Sequence, residues 1–220
     1  MAEHGPCPLC GGADIAPHHR EAARDYFRCL SCELVFLAPA QRPSFDEEIG
    51  RYSAHQNRED DRGYLDFLSR LADPVIERVP AGARGLDYGC GPSRAMAQLL
   101  SRRGRPTAPY DPVFRPDGAL LESTYDFVTC SEVLEHVHRP TELLQRLNGL
   151  IIAGGTLGVM TGMYDERTSF GTWWYRRDRT HVCFYHQATM EWIARAFDWG
   201  IELPAANVAI FTKAASFREG

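Results

Sequence analysis

The segment GLDYGCGPSRAMAQLL, residues 85–100, constrains the fold of this chain of 220 residues more than any other stretch. Its first four residues predict a short buried strand, a glycine-rich loop follows, and from Arg94 the apolar residues recur at helical spacing. In α/β proteins a ligand binds where such a strand ends and the next helix begins. We therefore expect a ligand site at the loop that contains Gly89 and Gly91.

Strands and helices continue to alternate along the chain. Further strands are predicted at residues 106–110, 125–130, 156–161 and 207–213, and further helices from about Pro140 and over residues 187–197. This alternation is typical of an α/β fold with a doubly wound, mostly parallel, Rossmann-like sheet, which we assign to residues 81–220. Residues 41–80 are predicted to form a polar connector and a leading helix.

Residues 1–40 differ from the rest of the chain because they carry four regularly spaced cysteines. Cys7 and Cys10 form one C-x-x-C pair, and Cys29 and Cys32 form a second pair 18 residues later. Two such pairs present four thiolates to one tetrahedral ion, which predicts a zinc ribbon. A segment this short cannot bury a sufficient core, so bound zinc would supply its folding energy.

The charge balance argues against a protein that coats nucleic acid. The chain has 24 basic and 29 acidic residues, a formal net charge of −5, and its first 40 residues carry five acids and three bases. The N-terminal residues lack a secretory leader, and the most apolar stretch is broken by glycines rather than continuous enough for a membrane span. Seven cysteines without a leader indicate thiols or metal ligands. We expect a soluble, cytoplasmic protein with no membrane partner, and the sequence leaves its oligomeric state open.

The residues in and around the glycine loop narrow the class of ligand that it can bind. Gly89 and Gly91 match the first two glycines of the dinucleotide pattern, but the third position is Arg94, and Pro92 has no N–H to offer a pyrophosphate. Asp87 would repel phosphates and attract an ammonium group. Asp111 lies 20 residues after Gly91, at the distance expected for an acid that holds ribose hydroxyls. Together the two acids suit a nucleoside that bears a cationic amino-acid tail.

These residues, together with the motif YDFVTCSEVLEHV, resemble the class I S-adenosylmethionine-dependent methyltransferases over roughly residues 84–213. The resemblance implies that Asp87, Gly89 and Gly91 line the methionine part of the cofactor and that Asp111 holds its ribose. It also implies that Ser131 and Glu132 close over the cofactor. An N-terminal ribbon joined to such a domain occurs in other bacterial members. The sequence departs from the family in having Ser93 at the usual third glycine and no clear third strand in residues 113–123.

The methyl acceptor is expected to lie among residues that follow the 125–130 and 156–161 strands. The first segment carries Glu135, His136 and His138, and the second is the aromatic stretch GTWWYRRDRTHVCFYH, residues 171–186. We predict that five of its residues bind the acceptor: Trp173, Tyr175, Arg177, Asp178 and Tyr185. By resemblance to an Asp-x-Thr-His segment of related enzymes, His181 would point toward the transferred methyl and act as the base. The alternative is that His181 only orders the loop through a hydrogen bond to Asp178.

The sequence thus predicts methyl transfer from S-adenosylmethionine to a small-molecule acceptor, with the accepting atom undetermined. Two alternatives stay open. One is an RNA methyltransferase whose ribbon docks the substrate and whose Arg176, Arg177 and Arg179 contact phosphates. The other is a non-catalytic, zinc-containing binding or scaffold protein that keeps the fold.

Overall fold

The computed structural model describes residues 3–53 and 59–215, so residues 54–58 of the predicted connector lie outside it. The described part of the chain contains eleven strands and five α-helices. The strands are β1 (Ile15–Glu21), β2 (Arg24–Cys29), β3 (Val35–Leu37), β4 (Gly85–Tyr88), β5 (Thr107–Tyr110), β6 (Tyr125–Ser131), β7 (Ile151–Met160), β8 (Met163–Tyr164), β9 (Cys183–His186), β10 (Trp199–Ala205) and β11 (Val208–Lys213). The helices are α1 (Phe45–Ser53), α2 (Arg62–Arg78), α3 (Ala95–Arg102), α4 (Pro140–Leu150) and α5 (Gln187–Phe197).

The larger sheet has six strands in the order β10-β11-β7-β6-β4-β5. β5, β4, β6 and β7 are parallel, whereas β11 and β10 are antiparallel additions at one side. Apolar residues of β6 alternate between the two faces: Phe127 packs with residues of α2 and α3, and Val128 packs with residues of α4. Helices therefore cover both faces, which confirms the predicted doubly wound α/β sheet.

Two edges of this sheet differ from the sequence prediction. Residues 113–123 form no third strand; they contain a short 3-10 helix, Gly118–Glu122, and β5 is the edge. Pro112 and Pro116 remove backbone donors from this segment, which explains why no further strand is added there. The edge strand β10 was not predicted, because its residues are mostly exposed and include Gly200 and Pro204.

The N-terminal ribbon is not a separate appendage. β1, β2 and β3 form an antiparallel meander, and β3 pairs with β9, so that a second sheet runs β1-β2-β3-β9-β8. Tyr26 of β2 packs edge-on against Phe170 and Phe184, which lie more than 140 residues later in the chain. The predicted division at residue 40 therefore separates segments that share one sheet and one hydrophobic core.

The leading helix is α2, and it packs directly on the sheet. A Cβ added at Gly158 of β7 would lie 2.7 Å from a methyl group of Val75 and 3.0 Å from one of Leu71. Pro74 lies within this helix. Among the described residues, no helix combines the length and the apolar character that a membrane crossing requires.

Candidate functional site

One cavity of about 820 Å³ opens at the carboxyl ends of β4, β5 and β6. Its walls combine the glycine loop, the segments that follow β5 and β6, residues of α1 and α2, and the loop that carries Asp178 and His181. Its volume lies in the range of small-molecule and cofactor sites. The position is the one that an open α/β sheet offers to a ligand.

The glycine loop depends on the backbone freedom of its glycines. Gly89 and Gly91 have φ angles of +78° and +62°, which side chains other than that of glycine rarely adopt. A Cβ at Gly89 would lie 2.5 Å from Cγ2 of Val133, whereas one at Gly91 would meet no atom within 4 Å. The loop is held to β5, because the amides of Gly89 and Cys90 both donate to the carbonyl of Tyr110.

Asp87 lies buried at the end of β4 and lines the cavity. Its Oδ1 accepts a hydrogen bond of 3.0 Å from the Thr129 hydroxyl. Burial, and to a smaller extent the nearby Asp111, raises the pKa of Asp87 to about 7. A cation bound beside this carboxyl would favour its ionised form, so the position suits the ammonium group of an amino-acid tail.

Asp111 ties together two loops of the cavity. Its Oδ2 accepts from the amide of Gly91 at 2.9 Å, and its Oδ1 accepts from the amides of Val113 and Phe114 at 2.8 and 2.9 Å. A carboxylate has about four acceptor sites, so these three bonds leave capacity for a ligand hydroxyl. Asp111 therefore both shapes the loop and lines the space where a ribose is expected.

Ser131 and Glu132 follow β6 and also line the cavity. Glu132 has a φ of +52°, and its amide donates to the carbonyl of Met160 at 2.8 Å. Burial and the neighbouring Glu135 raise the pKa of Glu132 to about 8. The structure thus gathers all six predicted cofactor residues around one cavity.

Three further residues form what we call the Glu-His-His cluster: Glu135, His136 and His181. One ligand atom from each lies within 4.8 Å of those of the other two. Glu135 is buried and accepts hydrogen bonds from the Thr161 hydroxyl at 2.8 Å and from the Tyr175 hydroxyl at 2.5 Å. The rings of His136 and His181 meet edge to face with their centres 4.7 Å apart.

His181 is held by a backbone carbonyl rather than by a side-chain carboxylate. Its Nδ1 lies 2.7 Å from the carbonyl oxygen of Tyr175, which only accepts, so Nδ1 carries the proton. Burial lowers the pKa of His181, which leaves the ring neutral with its lone pair on Nε2. The Asp178 carboxylate instead accepts from the Thr180 hydroxyl at 2.7 Å and from Arg51.

The predicted acceptor residues occupy different positions. Asp178 lines the cavity, but Tyr175 and Tyr185 are buried behind its wall, where the Tyr185 hydroxyl donates to the carbonyl of Leu134 at 3.1 Å. Trp173 packs against Phe184, and Arg177 is exposed outside the cavity. Of the five residues predicted to bind the acceptor, Asp178 lines the cavity and the other four do not. Tyr175 contacts the Glu-His-His cluster through the hydrogen bond that its hydroxyl donates to Glu135.

The cavity is also lined by residues that the sequence did not identify. α1 contributes Phe45 and Glu48, and α2 contributes Tyr64 and Phe67. Glu48 lies 2.9 Å from Nε2 of His138, and this hydrogen bond joins α1 to the segment that follows β6. Tyr64 and Phe67 lie three positions apart on α2, so they share one face of that helix.

The predicted basic cluster at the mouth does not form as expected. Arg176 is buried, lies over the ring of Tyr26 and pairs with Glu21 of the ribbon. Its guanidinium also donates to the carbonyls of Phe170 and Gly171. This side chain thus fastens the ribbon to the loop and is turned away from any bound phosphate.

The four ribbon cysteines meet at one point. Their sulfur atoms all lie within 4.8 Å of one another, and the amide of Gly12 donates to Sγ of Cys10 at 3.3 Å. A hydrogen bond from Cys32 lowers the pKa of Cys7 to about 6, whereas burial raises that of Cys10 to about 12. The four thiols need a cation to ionise together, and this donor set suits tetrahedral zinc.

Comparison with known proteins gives a consistent family assignment. Residues 54–202 match the family model described as a methyltransferase domain. No curated protein sequence matches the chain. Among solved structures, the chain is similar to the Burkholderia thailandensis 1,6-didemethyltoxoflavin-N1-methyltransferase with bound 1,6-didemethyltoxoflavin and S-adenosylhomocysteine. The two are 16% identical, and the match covers 90% of this chain and 99% of that one, with a TM-score of 0.56.

Two other solved structures share the fold. Streptomyces venezuelae DesVI is 15% identical, with 78% of this chain and 100% of that chain covered and a TM-score of 0.52. Human N-acetylserotonin methyltransferase, solved in complex with S-adenosylmethionine, is 14% identical, with 79% of this chain and 57% of that chain covered and a TM-score of 0.51.

Proposed function

Because this chain belongs to the methyltransferase-domain family, we propose that it transfers a methyl group from S-adenosylmethionine to a small-molecule acceptor. The observation that carries the proposal is a single cavity with two chemically different halves. Asp87, Gly91 and Asp111 line the half at the glycine loop, and His136, Asp178 and His181 line the other. Donor and acceptor would therefore meet in one cavity, where they can be aligned as an in-line displacement requires.

The residues of the first half would hold the cofactor as follows. Asp87 would accept from the ammonium group, and Asp111 would accept from the ribose hydroxyls with the capacity that its three amide contacts leave. Gly89 and Gly91 would let the backbone approach the methionine part, and Ser131 and Glu132 would border it. When bound, S-adenosylmethionine supplies a methyl group activated by a positively charged sulfur.

In the second half, we propose His181 as the base. Its Nε2 carries the lone pair of a neutral ring, and its Nδ1 is fixed by the carbonyl of Tyr175. Such an imidazole takes a proton from a hydroxyl, thiol or amine near neutral pH. Asp178 lines the same half and is held by Thr180 and Arg51.

Several features support a small acceptor over RNA. Phe45 and Glu48 of α1 line the cavity, and Arg176 is bound to Glu21 of the ribbon. The net charge of −5 does not favour a polyanion. The similar Burkholderia and human enzymes are named for small-molecule acceptors. The aromatic side chains of Phe45, Tyr64 and Phe67 suit an acceptor with an apolar face.

We further propose that Cys7, Cys10, Cys29 and Cys32 hold a structural zinc ion. The donor set is closed, with four thiols and no position for a substrate. None of the seven cysteines forms a disulfide, which supports our proposal that the protein works in the cytoplasm.

Calorimetric titration of S-adenosylmethionine into the purified chain tests the function. We expect micromolar binding, no binding of NADH, and a loss of affinity of about 1.5–3 kcal/mol in Asp111→Ala, the scale of hydrogen bonds to a charged group. Because Asp111 also ties two loops, Asp87→Asn serves as the matched variant that leaves those amide bonds intact. A folded, zinc-loaded chain that binds no S-adenosylmethionine would contradict the proposal and favour a scaffold. Salt-sensitive RNA binding that Arg177→Gln weakens would favour the RNA methyltransferase.

A further inference from the structure

The Glu-His-His cluster has the donor arrangement of a metal centre. Its three donor atoms come from a buried carboxylate and two imidazoles, and all lie within 4.8 Å of one another. Nε2 of His136 is 4.0 Å from Oε1 of Glu135. An ion with bonds of about 2.1 Å needs donors about 3 to 3.5 Å apart, so small side-chain rotations would close the set.

Both imidazoles are oriented as metal ligands usually are. Nδ1 of His136 lies 3.2 Å from the carbonyl of Thr180, and Nδ1 of His181 lies 2.7 Å from that of Tyr175. Because a carbonyl only accepts, each Nδ1 carries a proton, so Nε2 is the nitrogen of each ring that is left to bind an ion. A ligating histidine almost always donates its other N–H in this way, which fixes both its tautomer and its ring orientation.

The carboxylates around the cluster also call for a cation. Glu135 has no solvent-exposed surface, and its two oxygens accept from the hydroxyls of Thr161 and Tyr175. Oε2 of Glu132 lies 3.2 Å from the same Tyr175 hydroxyl, so two acids meet at one phenol. The basic side chain of Arg51 is bound to Asp178 and not to these acids. A divalent cation at this point would place a positive charge beside the buried oxygens of Glu132 and Glu135.

From this geometry we propose that Glu135, His136 and His181 bind a divalent first-row transition-metal ion at the acceptor half of the cavity. Three protein ligands leave open coordination positions, as in catalytic metal sites, and His136 and His181 border the cavity where an acceptor would enter. The donors of this site are nitrogen and oxygen, so its metal preference differs from that of the four sulfur donors of the ribbon.

This inference rests on the proposed methyl transfer and names its acceptor class, which is a compound that presents a hydroxyl oxygen. The oxygen would occupy the open coordination position, and its proton would pass to water. The oxygen would then form the new bond to the methyl carbon as the carbon–sulfur bond breaks, and the electron pair would stay on sulfur, giving S-adenosylhomocysteine and the methyl ether. In this arrangement the lone pair of His181 goes to the ion, so metal binding replaces the base role proposed above.

Manganese titration of the zinc-loaded chain tests the site. Mn²⁺ binds thiolates more weakly than Zn²⁺ does, because it is lowest in the Irving–Williams order and favours oxygen donors, so it leaves the ribbon zinc in place. Electron paramagnetic resonance would follow the loss of the free Mn²⁺ signal. We expect one Mn²⁺ per wild-type chain, with affinity reduced at least tenfold in His136→Gln and in His181→Gln.

His138→Gln is the matched control, because His138 lies two residues from His136 but faces Glu48. Its Mn²⁺ affinity should stay close to that of the wild type, because the change removes neither a ligand nor a partner of a ligand. Circular dichroism and S-adenosylmethionine titration on the same samples establish that each variant is folded. Cofactor binding without Mn²⁺ binding in the wild type, or equal Mn²⁺ affinity in all three variants, would overturn the metal site while methyl transfer stands. Absence of cofactor binding would overturn the proposed function itself.

Discussion

The guanidinium of Arg51 lies 2.9 Å from the carboxylate of Asp178, and this ion pair joins α1 to the loop that carries His181. Arg51 is half exposed, whereas Asp178 is largely covered. Burial alone would raise the pKa of Asp178, but hydrogen bonds from Thr180 and from Arg51 lower it below its usual range. The pair thus holds Asp178, which lines the cavity, through a residue of α1.

Arg51→Gln should loosen α1 without unfolding the protein. An exposed ion pair contributes about 0.5–1 kcal/mol, so we expect α1 to open two- to fivefold more often. Limited digestion with chymotrypsin, which does not cleave at arginine, measures this opening as faster cleavage near α1. Arg167→Gln is the matched control, because it removes an exposed pair with Asp165 inside a single loop. Equal cleavage of the two variants would mean that the Arg51–Asp178 pair does not hold α1.

The raised pKa of Asp87 predicts how stability varies with pH. The folded, ligand-free chain keeps this proton up to about pH 7, whereas the unfolded chain releases it near the ordinary value of about 3.9. The folded state therefore binds more protons in that window, and its stability falls as the pH rises through it. Between pH 5 and pH 8 the wild type should lose on the order of 2–3 kcal/mol that Asp87→Asn does not lose. Chemical denaturation across this range measures the difference, with Asp66→Asn on the exposed surface of α2 as the control. If the stability of the wild type and of Asp87→Asn varied with pH in parallel, this prediction would be contradicted.

The same carboxyl should make cofactor binding depend on pH. An ammonium group favours ionised Asp87, so S-adenosylmethionine affinity should rise from pH 6 to pH 8 and then level off. At pH values well below the pKa of Asp87, the affinity for S-adenosylmethionine should change by up to about tenfold per pH unit. Calorimetry in two buffers of different ionisation enthalpy should detect proton release at pH 6.5, and Asp87→Asn should show neither effect. A flat profile for the wild type would show that the ligand does not contact this acid as a cation.

Loss of the proposed zinc ion should destabilise the sheet that the ribbon shares with β9. Cys29→Ser removes one of four proposed zinc ligands, and β3, which follows this cysteine, pairs with β9 just after His181. We expect no bound zinc by atomic absorption and a loss of stability on the order of 4 kcal/mol or more. Cys90→Ser lies outside the cluster and should retain one zinc per chain. Unchanged zinc content in Cys29→Ser would contradict the site.

The sequence predicted the parts of this molecule that local pattern controls. The strand, loop and helix around Gly89 have short-range periodicity, and Asp87 and Asp111 follow strands whose carboxyl ends must meet at one edge. The pairing of β3 with β9 depends on contacts between residues more than 140 positions apart, which no local pattern contains. For that reason the ribbon was expected to be a separate module.

The acceptor side was harder to predict for a related reason. Tyr175 and Tyr185 belong to an aromatic stretch, but their direction depends on which face of the loop packs on the ribbon. Their hydroxyls satisfy Glu135 and the Leu134 carbonyl instead of facing the cavity. Phe45 reaches the cavity because α1 folds back over it, a tertiary arrangement that its polar helix does not reveal.

Gly89 and Gly91 of the glycine loop should tolerate substitution by alanine to different degrees. Gly91→Ala adds a methyl group in open space, so its cost should be near the 1–2 kcal/mol of a left-handed backbone alone. Gly89→Ala bears a similar backbone cost and also forces a Cβ to within 2.5 Å of Val133, so both stability and S-adenosylmethionine affinity should fall further. The double variant Gly89→Ala/Val133→Ala removes the obstructing methyl groups and should recover part of the cofactor affinity relative to Gly89→Ala. Thermal unfolding and calorimetry on the three variants measure these differences. If Gly89→Ala and Gly91→Ala behave alike and the double variant recovers nothing, then contact with Val133 does not shape the loop, and the φ angle alone explains the need for glycine.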